Sequence, residues 1–169
     1  MLDLETTGLS PAKGDRVIEI AALAIEGGEV SGTFQSFVNP RKKIPWQASR
    51  VHGITDAMLA GQPLPRDVYP AFHEFISDSL LVAHNAIFDL SFLQHEFRFL
   101  GMTLENPFLC TLQMARKRYP CLPNHRLETV ALHVLGALPV KQRHRALGDA
   151  VLTARVLLAM KGMRAKAMP

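Results

Sequence analysis

The sequence predicts an α/β domain, a mixed β-sheet with helices packed on it. Three observations carry this expectation. Strand-like segments come early, helix-period segments dominate later, and those helices are numerous enough to cover a sheet. At 169 residues, 48% of them hydrophobic, the chain makes one domain with a sizeable core.

The elements follow in order. "MLDLE" alternates as a strand does. "RVIEIAALAIEGGEVSGTFQSFVNP" reads as two strands joined at Gly27-Gly28, because both glycines accept positive φ. Val17 to Ile25 is nearly all apolar, as in a strand covered on both faces. "RDVYPAFHEFIS" is helical. "LLVAH" is a short buried strand that runs into the helix "AIFDLSFLQHEFRFLG", closed by Gly101. "CTLQMARKRY" and "RLETVALHVLG" are two further helices. In the last, "RALGDAVLTARVLLAM", Leu147, Val151, Ala154 and Leu158 form a helical apolar stripe. Trp46 and the methionines are assigned to packing. The chain shows no internal repeat, low-complexity segment or linker. The domain is expected to span 1–160, with 161–169 as a basic, disordered tail.

Composition excludes several classes. No apolar run reaches the ~18 residues of a membrane helix, and the N-terminus lacks the basic and apolar regions of a signal peptide. Cys110 and Cys121 form no metal knuckle and are too few for a disulfide scaffold, so they read as reduced thiols of a cytoplasmic protein. Residues 1–112 carry a net charge of −5 and residues 113–169 a net charge of +9. A basic C-terminal portion suits a polyanionic partner such as nucleic acid; the alternative is a solvated basic face.

Asp3 and Glu5 stand at i and i+2, so on a strand they share one face, while Leu2 and Leu4 share the other. Two carboxylates that close repel unless a cation lies between them, and hard oxygen ligands suit Mg²⁺ or Mn²⁺. An exposed strand of alternating charge is the alternative. Asp89 falls in the first turn of a helix after a buried strand, where Asn85 can cap the helix. The helix dipole alone would favour an acid there. His144 and Asp149 are five residues apart and cannot share a face of one helix. With His144 in the preceding loop and Asp149 in the first turn, both reach one cleft.

"DLETTGL", "HNAIFDLSFL" and "HRALGDA" resemble the three motifs of the DEDDh 3′→5′ exonucleases, and the chain is similar to the epsilon-subunit-like proofreading exonucleases of bacterial DNA polymerase III. "FVNPRKKIPWQASRVHGITDAML" resembles the family's segment ending in His-Gly-Ile, and "CTLQMARKRYP" its Thr-Leu-x-x-Ala-Arg helix. The motifs run in the family's order from residue 3 to residue 150. The resemblance implies a ribonuclease-H-like fold: a five-stranded mixed sheet, its third strand antiparallel, flanked by helices, with Asp3 and Glu5 on the central strand.

It also implies a catalytic set of Asp3, Glu5, Asp89, Asp149 and His144, and two divalent ions, Mg²⁺ or Mn²⁺. Two such ions about 4 Å apart serve phosphodiester hydrolysis. Asp3, Glu5 and Asp149 are expected to ligate the nucleophile-side ion, with Asp3 bridging to the second. Asp89 acts on that second ion through water, and His144 is the general base. The expected products are nucleoside 5′-monophosphates from a 3′ end. By the same resemblance Thr6, Thr7 and Gly8 hold the terminal 3′-OH and Leu9 wedges near the last base; an ordinary turn is the alternative for Thr7. His84 and Asn85 border the nucleotide pocket, with a helix cap the alternative for Asn85. His52 lines the same cleft or packs in the core. Phe88 and Phe92 stack bases or belong to the core. Lys141, Arg143 and Arg145 flank His144 and are candidate phosphate contacts, whose neutralisation is expected to flatten the salt dependence of binding.

The expected partners are single-stranded 3′ ends, DNA favoured, with a DNA polymerase as a candidate partner and no membrane. The alternatives are an RNA- or oligonucleotide-trimming relative, and a nuclease-inactive binding or docking module on the same fold. Only Met1 and Leu2 precede Asp3, where relatives carry several apolar residues. The native chain is therefore expected to begin upstream, or this form to be less stable and to bind metal more weakly than one with a full first strand.

Overall fold

The computed structural model describes residues 1–138 and 144–163. Strand β1 spans Leu2–Thr6, β2 Val17–Glu26 and β3 Glu29–Phe37. They form one sheet in the order β1-β2-β3, antiparallel throughout, and the β2–β3 hairpin turns at Gly27-Gly28 with both glycines at positive φ. The strand running against its neighbours is thus the second, not the third. Helices α1 (Trp46–His52), α2 (Asp56–Leu59) and α3 (Pro65–Ile76) follow. Short strands β4 (Leu81–Ala83) and β5 (Phe108–Cys110) pair in parallel, with α4 (Ala86–Phe99) between them. Helices α5 (Thr111–Arg118), α6 (Leu127–Leu135) and α7 (Ala146–Met160) complete the described chain.

The five strands form a three-stranded and a two-stranded ladder rather than one continuous ladder. β4 packs against β1 without pairing to it. The Leu4 amide lies on β1, which stands at the edge of the three-stranded ladder and not at its centre as the resemblance implies, and it meets the Asp89 carboxylate, so a side chain of α4 takes a backbone donor that further strand pairing would otherwise have used.

Alternation along β1 sorts its residues between two cores. Leu2 and Leu4 join Ile20 and Ala22 of β2 in the main core, against Val68, Tyr69, Phe72 and Ile76 of α3 and Leu90, Phe92, Leu93 and Phe97 of α4. On the other face, Leu23 of β2 meets Leu147, Val151 and Ala154 of α7. The opposite side of α7, with Leu152, Val156 and Met160, packs on α5 and α6. The helix bearing Asp149 is therefore buried on two sides, broader than the single stripe read from the sequence. Trp46 departs from its packing assignment: it is 61% exposed, with the Arg50 guanidinium 5.4 Å from its ring. Polar residues dominate its surroundings on the short α1, leaving the indole a cation–π partner instead of a core.

Beside the start of β1 lies a cavity of about 440 Å³ lined by Met1, Leu2, Leu23, Ile25, Leu81 and Val82, among others. The β1–β2 ladder ends at Leu2–Ala22, while β2 continues to Glu26. The space suits further extended apolar residues. Prepending four to six β-branched residues is expected to raise Tm by roughly 5 °C or more. Each buried aliphatic side chain contributes about 1.5–3 kcal/mol before ordering entropy, and 1 kcal/mol moves Tm about 2–4 °C at this size. Calorimetry decides; an unchanged Tm would show that the cavity does not accept a strand.

Candidate active site

The face of β1 turned toward α7 carries the acids. Asp3 and Glu5 project side by side, and Asp149 approaches from the first turn of α7. One carboxylate oxygen from each of Asp3, Glu5 and Asp149 lies within 4.8 Å of the others. Asp89 is 3% exposed, on the first turn of α4, and accepts hydrogen bonds from its own amide and that of Leu4. The four acids named from the sequence thus converge on the centre of β1.

Their charges oppose one another. Burial, then the charges of Asp89, Asp149, Glu5 and Glu19, push the Asp3 carboxyl well above the usual carboxylate range. Burial, then Asp149 and Glu19, raise Glu5 to about 8, with Arg145 pulling the other way. Burial raises Asp89 to about 8, against its two backbone hydrogen bonds. Such a cluster favours a compensating cation. All donors are carboxylate oxygens, the set that hard divalent ions prefer. Asp3, Glu5 and Asp149 could hold one ion directly.

Two left-handed residues mark the entry to the acid-bearing helices. Asn85, φ 72°, precedes α4, and His144, φ 56°, stands one residue before the α7 N-cap. Positive φ at a non-glycine residue is uncommon and concentrates at functional sites. Asn85 makes no side-chain cap bond. The His144 side chain is half exposed, its Nε2 4.0 Å from Glu128 Oε1 at the start of α6.

The remaining sequence-derived residues divide sharply. The Thr6 hydroxyl donates to the Gly8 carbonyl at 2.6 Å. Thr7 is 1% exposed; its amide donates to the Arg16 carbonyl, and its hydroxyl accepts from the Arg16 amide at 3.0 Å. Leu9 is 85% exposed, projecting into solvent. A Cβ on Gly8 would lie 2.5 Å from Asp15 Cγ and 2.6 Å from Oδ1, so this turn excludes any larger residue without displacing Asp15. Gly8→Ala is expected to cost about 1–3 kcal/mol through overpacking. Asp15→Ala added to it should recover most of the loss in a thermal melt; no recovery would place the strain elsewhere.

His52 is buried, with Nδ1 accepting from the Ile54 amide at 3.0 Å and burial lowering its pKa. His84 is half-buried; Nδ1 meets the Thr111 hydroxyl at 3.0 Å and Nε2 the His125 carbonyl at 2.8 Å. Nε2 faces a carbonyl and is therefore the donor there, and burial lowers the ring's pKa. Both histidines are bonded into the scaffold. Phe88 is half-buried against Phe92, ring centres 4.9 Å apart. Phe92 is fully buried in the main core and has no ring face to offer a base; on α4 its position faces the sheet. Lys141 and Arg143 lie outside the described residues, whereas Arg145 is half-buried in an ion pair with Glu19.

Glu19 went unnamed in the sequence reading. It stands directly opposite Glu5 across the β1–β2 ladder and is 1% exposed. A charged residue inside an otherwise apolar strand was the available signal, since a buried charge requires a partner. Among the described residues no helix is long and apolar enough to cross a membrane.

The sequence model of the RNase_T family, described as Exonuclease, matches residues 1–157. The chain belongs to this exonuclease family. It is 41% identical over 157 residues to the DNA polymerase III PolC-type protein of Clostridium perfringens, covering 93% of this chain and 11% of that protein. It is 41% identical over 163 residues to the DNA polymerase III subunit epsilon-like protein of Rhodobacter capsulatus, covering 95% and 23%. The DNA polymerase III subunit epsilon of Aquifex aeolicus is 38% identical over 159 residues, covering 94% and 77%. The chain thus spans between a tenth and a quarter of the first two relatives and most of the third. Exonuclease X in complex with 5′ overhanging duplex DNA superposes with a TM-score of 0.75 at 29% identity, covering 97% of this chain and 93% of that one. Exonuclease I superposes at 0.83 and 19% identity, covering 96% and 40%, a likeness of ribonuclease-H-like fold.

Proposed function

We propose that the chain is a metal-dependent 3′→5′ exonuclease acting on single-stranded DNA 3′ ends and releasing nucleoside 5′-monophosphates. The observation that carries this is the convergence of Asp3, Glu5 and Asp149 within 4.8 Å, on a fold whose relatives are exonucleases and polymerase subunits. Mg²⁺ or Mn²⁺ held there supplies charge neutralisation at the phosphate and a more acidic water. The residues of this chain do the rest. Asp3, Glu5 and Asp149 are the direct ligands, and Asp89 orders water at a second position. His144, at the rim, takes the proton of the attacking water. Exposed Leu9 rests against the terminal base, whereas Thr7, buried with its amide and hydroxyl both engaged by Arg16, and the Thr6 hydroxyl, bonded to the Gly8 carbonyl, shape the turn beneath it and do not hold the 3′ terminus. DNA is favoured over RNA because the relatives are polymerase III proteins, which also makes a replicative polymerase the candidate partner.

The test is degradation of one sequence as DNA and as RNA, labelled at the 5′ or at the 3′ end. The proposal expects a descending ladder from 5′-labelled DNA, immediate release of labelled mononucleotide from the 3′ label, and slower RNA cleavage. Ladders starting from the 5′ end would refute the polarity, and faster RNA cleavage the substrate.

A further inference from the structure

We infer that Glu19 and Arg145 form a positioning clamp that locks the N-terminus of α7 to β2 and so fixes where Asp149 and His144 stand. Glu19 is buried in mid-strand, and both its oxygens are engaged. Oε1 accepts from Arg145 Nη2 at 2.8 Å and Gln35 Nε2 at 3.2 Å; Oε2 accepts from Arg145 Nε at 3.0 Å and the Ala146 amide at 3.2 Å. Arg145 also lies over the Phe37 ring, 5.2 Å from its centre. A planar fork with its apolar face stacked has little freedom left.

The clamp's reach is set by the backbone. Arg145 is the N-cap of α7, and its carbonyl accepts from the Asp149 amide at 3.1 Å. Its preceding neighbour is His144, held at φ 56°. One carboxylate therefore grips, through a side chain and the Ala146 amide, the turn that presents both functional groups. The Glu19 carboxylate also faces Glu5 across the ladder. Four hydrogen bonds, two of them from a guanidinium, keep its oxygens on α7 and the hairpin, outside the Asp3–Glu5–Asp149 ligand set.

This rests on the proposed function only for its kinetic readout; the first measurement below does not need it. Prepare Glu19→Gln, Arg145→Lys and the double variant, with Glu19→Met/Arg145→Met as an apolar replacement should the polar variants fold poorly. Hydrogen exchange over residues 144–152 in metal-free protein is expected to accelerate ~10-fold or more in both single variants. The double variant should be no faster, because either change alone opens the same clamp. Mn²⁺ affinity should fall in parallel. Turnover on a short oligonucleotide should drop ~10- to 100-fold with KM within ~2-fold, the scale of a small misplacement. Three results would overturn the clamp: unchanged exchange in either single variant, additive losses in the double, or an Arg145→Lys defect confined to KM with a flatter salt dependence. The last would make Arg145 a phosphate contact. Absence of nuclease activity in the parent, with exchange behaving as expected, would count against the proposed function and leave the clamp standing.

Discussion

Asp149→Ala is expected to lower turnover at least ~10³-fold, since under the proposed function it removes a metal ligand and with it several kcal/mol of charge stabilisation, and each 1.36 kcal/mol is tenfold. The same substitution should stabilise the metal-free fold at alkaline pH, because Asp149 raises the pKa of both Asp3 and Glu5. The sign follows from proton linkage. Glu5 moves from 4.5 to about 8, and Asp89 from 3.8 to about 8. Between those limits the native state binds more protons than the unfolded chain, so stability is fully present near pH 4 and is lost as pH rises toward 8. Metal-free protein should therefore melt lower at pH 8 than at pH 5. Saturating Mg²⁺ or Mn²⁺ should reverse this, adding about 2.7 kcal/mol at a hundredfold excess over Kd, or roughly 5–11 °C. Asp149→Ala should show a flatter pH profile and little response to metal. A metal-free Tm that rises from pH 5 to pH 8 would contradict the repulsive cluster.

His144→Ala is expected to lower turnover ~10²-fold, the usual scale for a general base, while leaving metal binding intact. The left-handed backbone at this position supplies a control. Asparagine tolerates φ above zero better than alanine and carries no base. Equal losses in His144→Asn and His144→Ala would assign the effect to the ring; full turnover in His144→Asn would assign it to the backbone instead.

The parts legible in the sequence were those with local signals. Glycines at positive φ announced the β2–β3 hairpin, and alternation in "MLDLE" placed Asp3 and Glu5 on one face. Helices α4 and α7 were readable from their apolar periods and from the strand or loop before them. The short elements were not: α2 is four residues long, and β5 is three residues stabilised by pairing with β4. The hidden part of the site depends on register. That Glu19 opposes Glu5, and that Arg145 folds back onto it across 126 residues, needs the β1–β2 alignment and the docking of α7. Arg145 read as a phosphate contact because a basic loop surrounds it in sequence, whereas in space its nearest acid is buried in β2. Glu96 repeats the lesson on α4. It is 1% exposed and clamped by Arg16 at 2.7 and 2.6 Å, and nothing in "QHEFRF" distinguishes it from a solvated glutamate.

The central claim is that Asp3, Glu5 and Asp149 hold the divalent ion on which hydrolysis depends. Single-turnover degradation of 5′-labelled single-stranded DNA tests it most directly, with parent, Asp3→Ala and Asp149→Ala each assayed in Mg²⁺, in Mn²⁺ and in excess EDTA. The account predicts stepwise shortening by the parent in either metal, none in EDTA, and none by either variant under any condition. Full activity in EDTA, or parent-like cleavage by either variant, would contradict it.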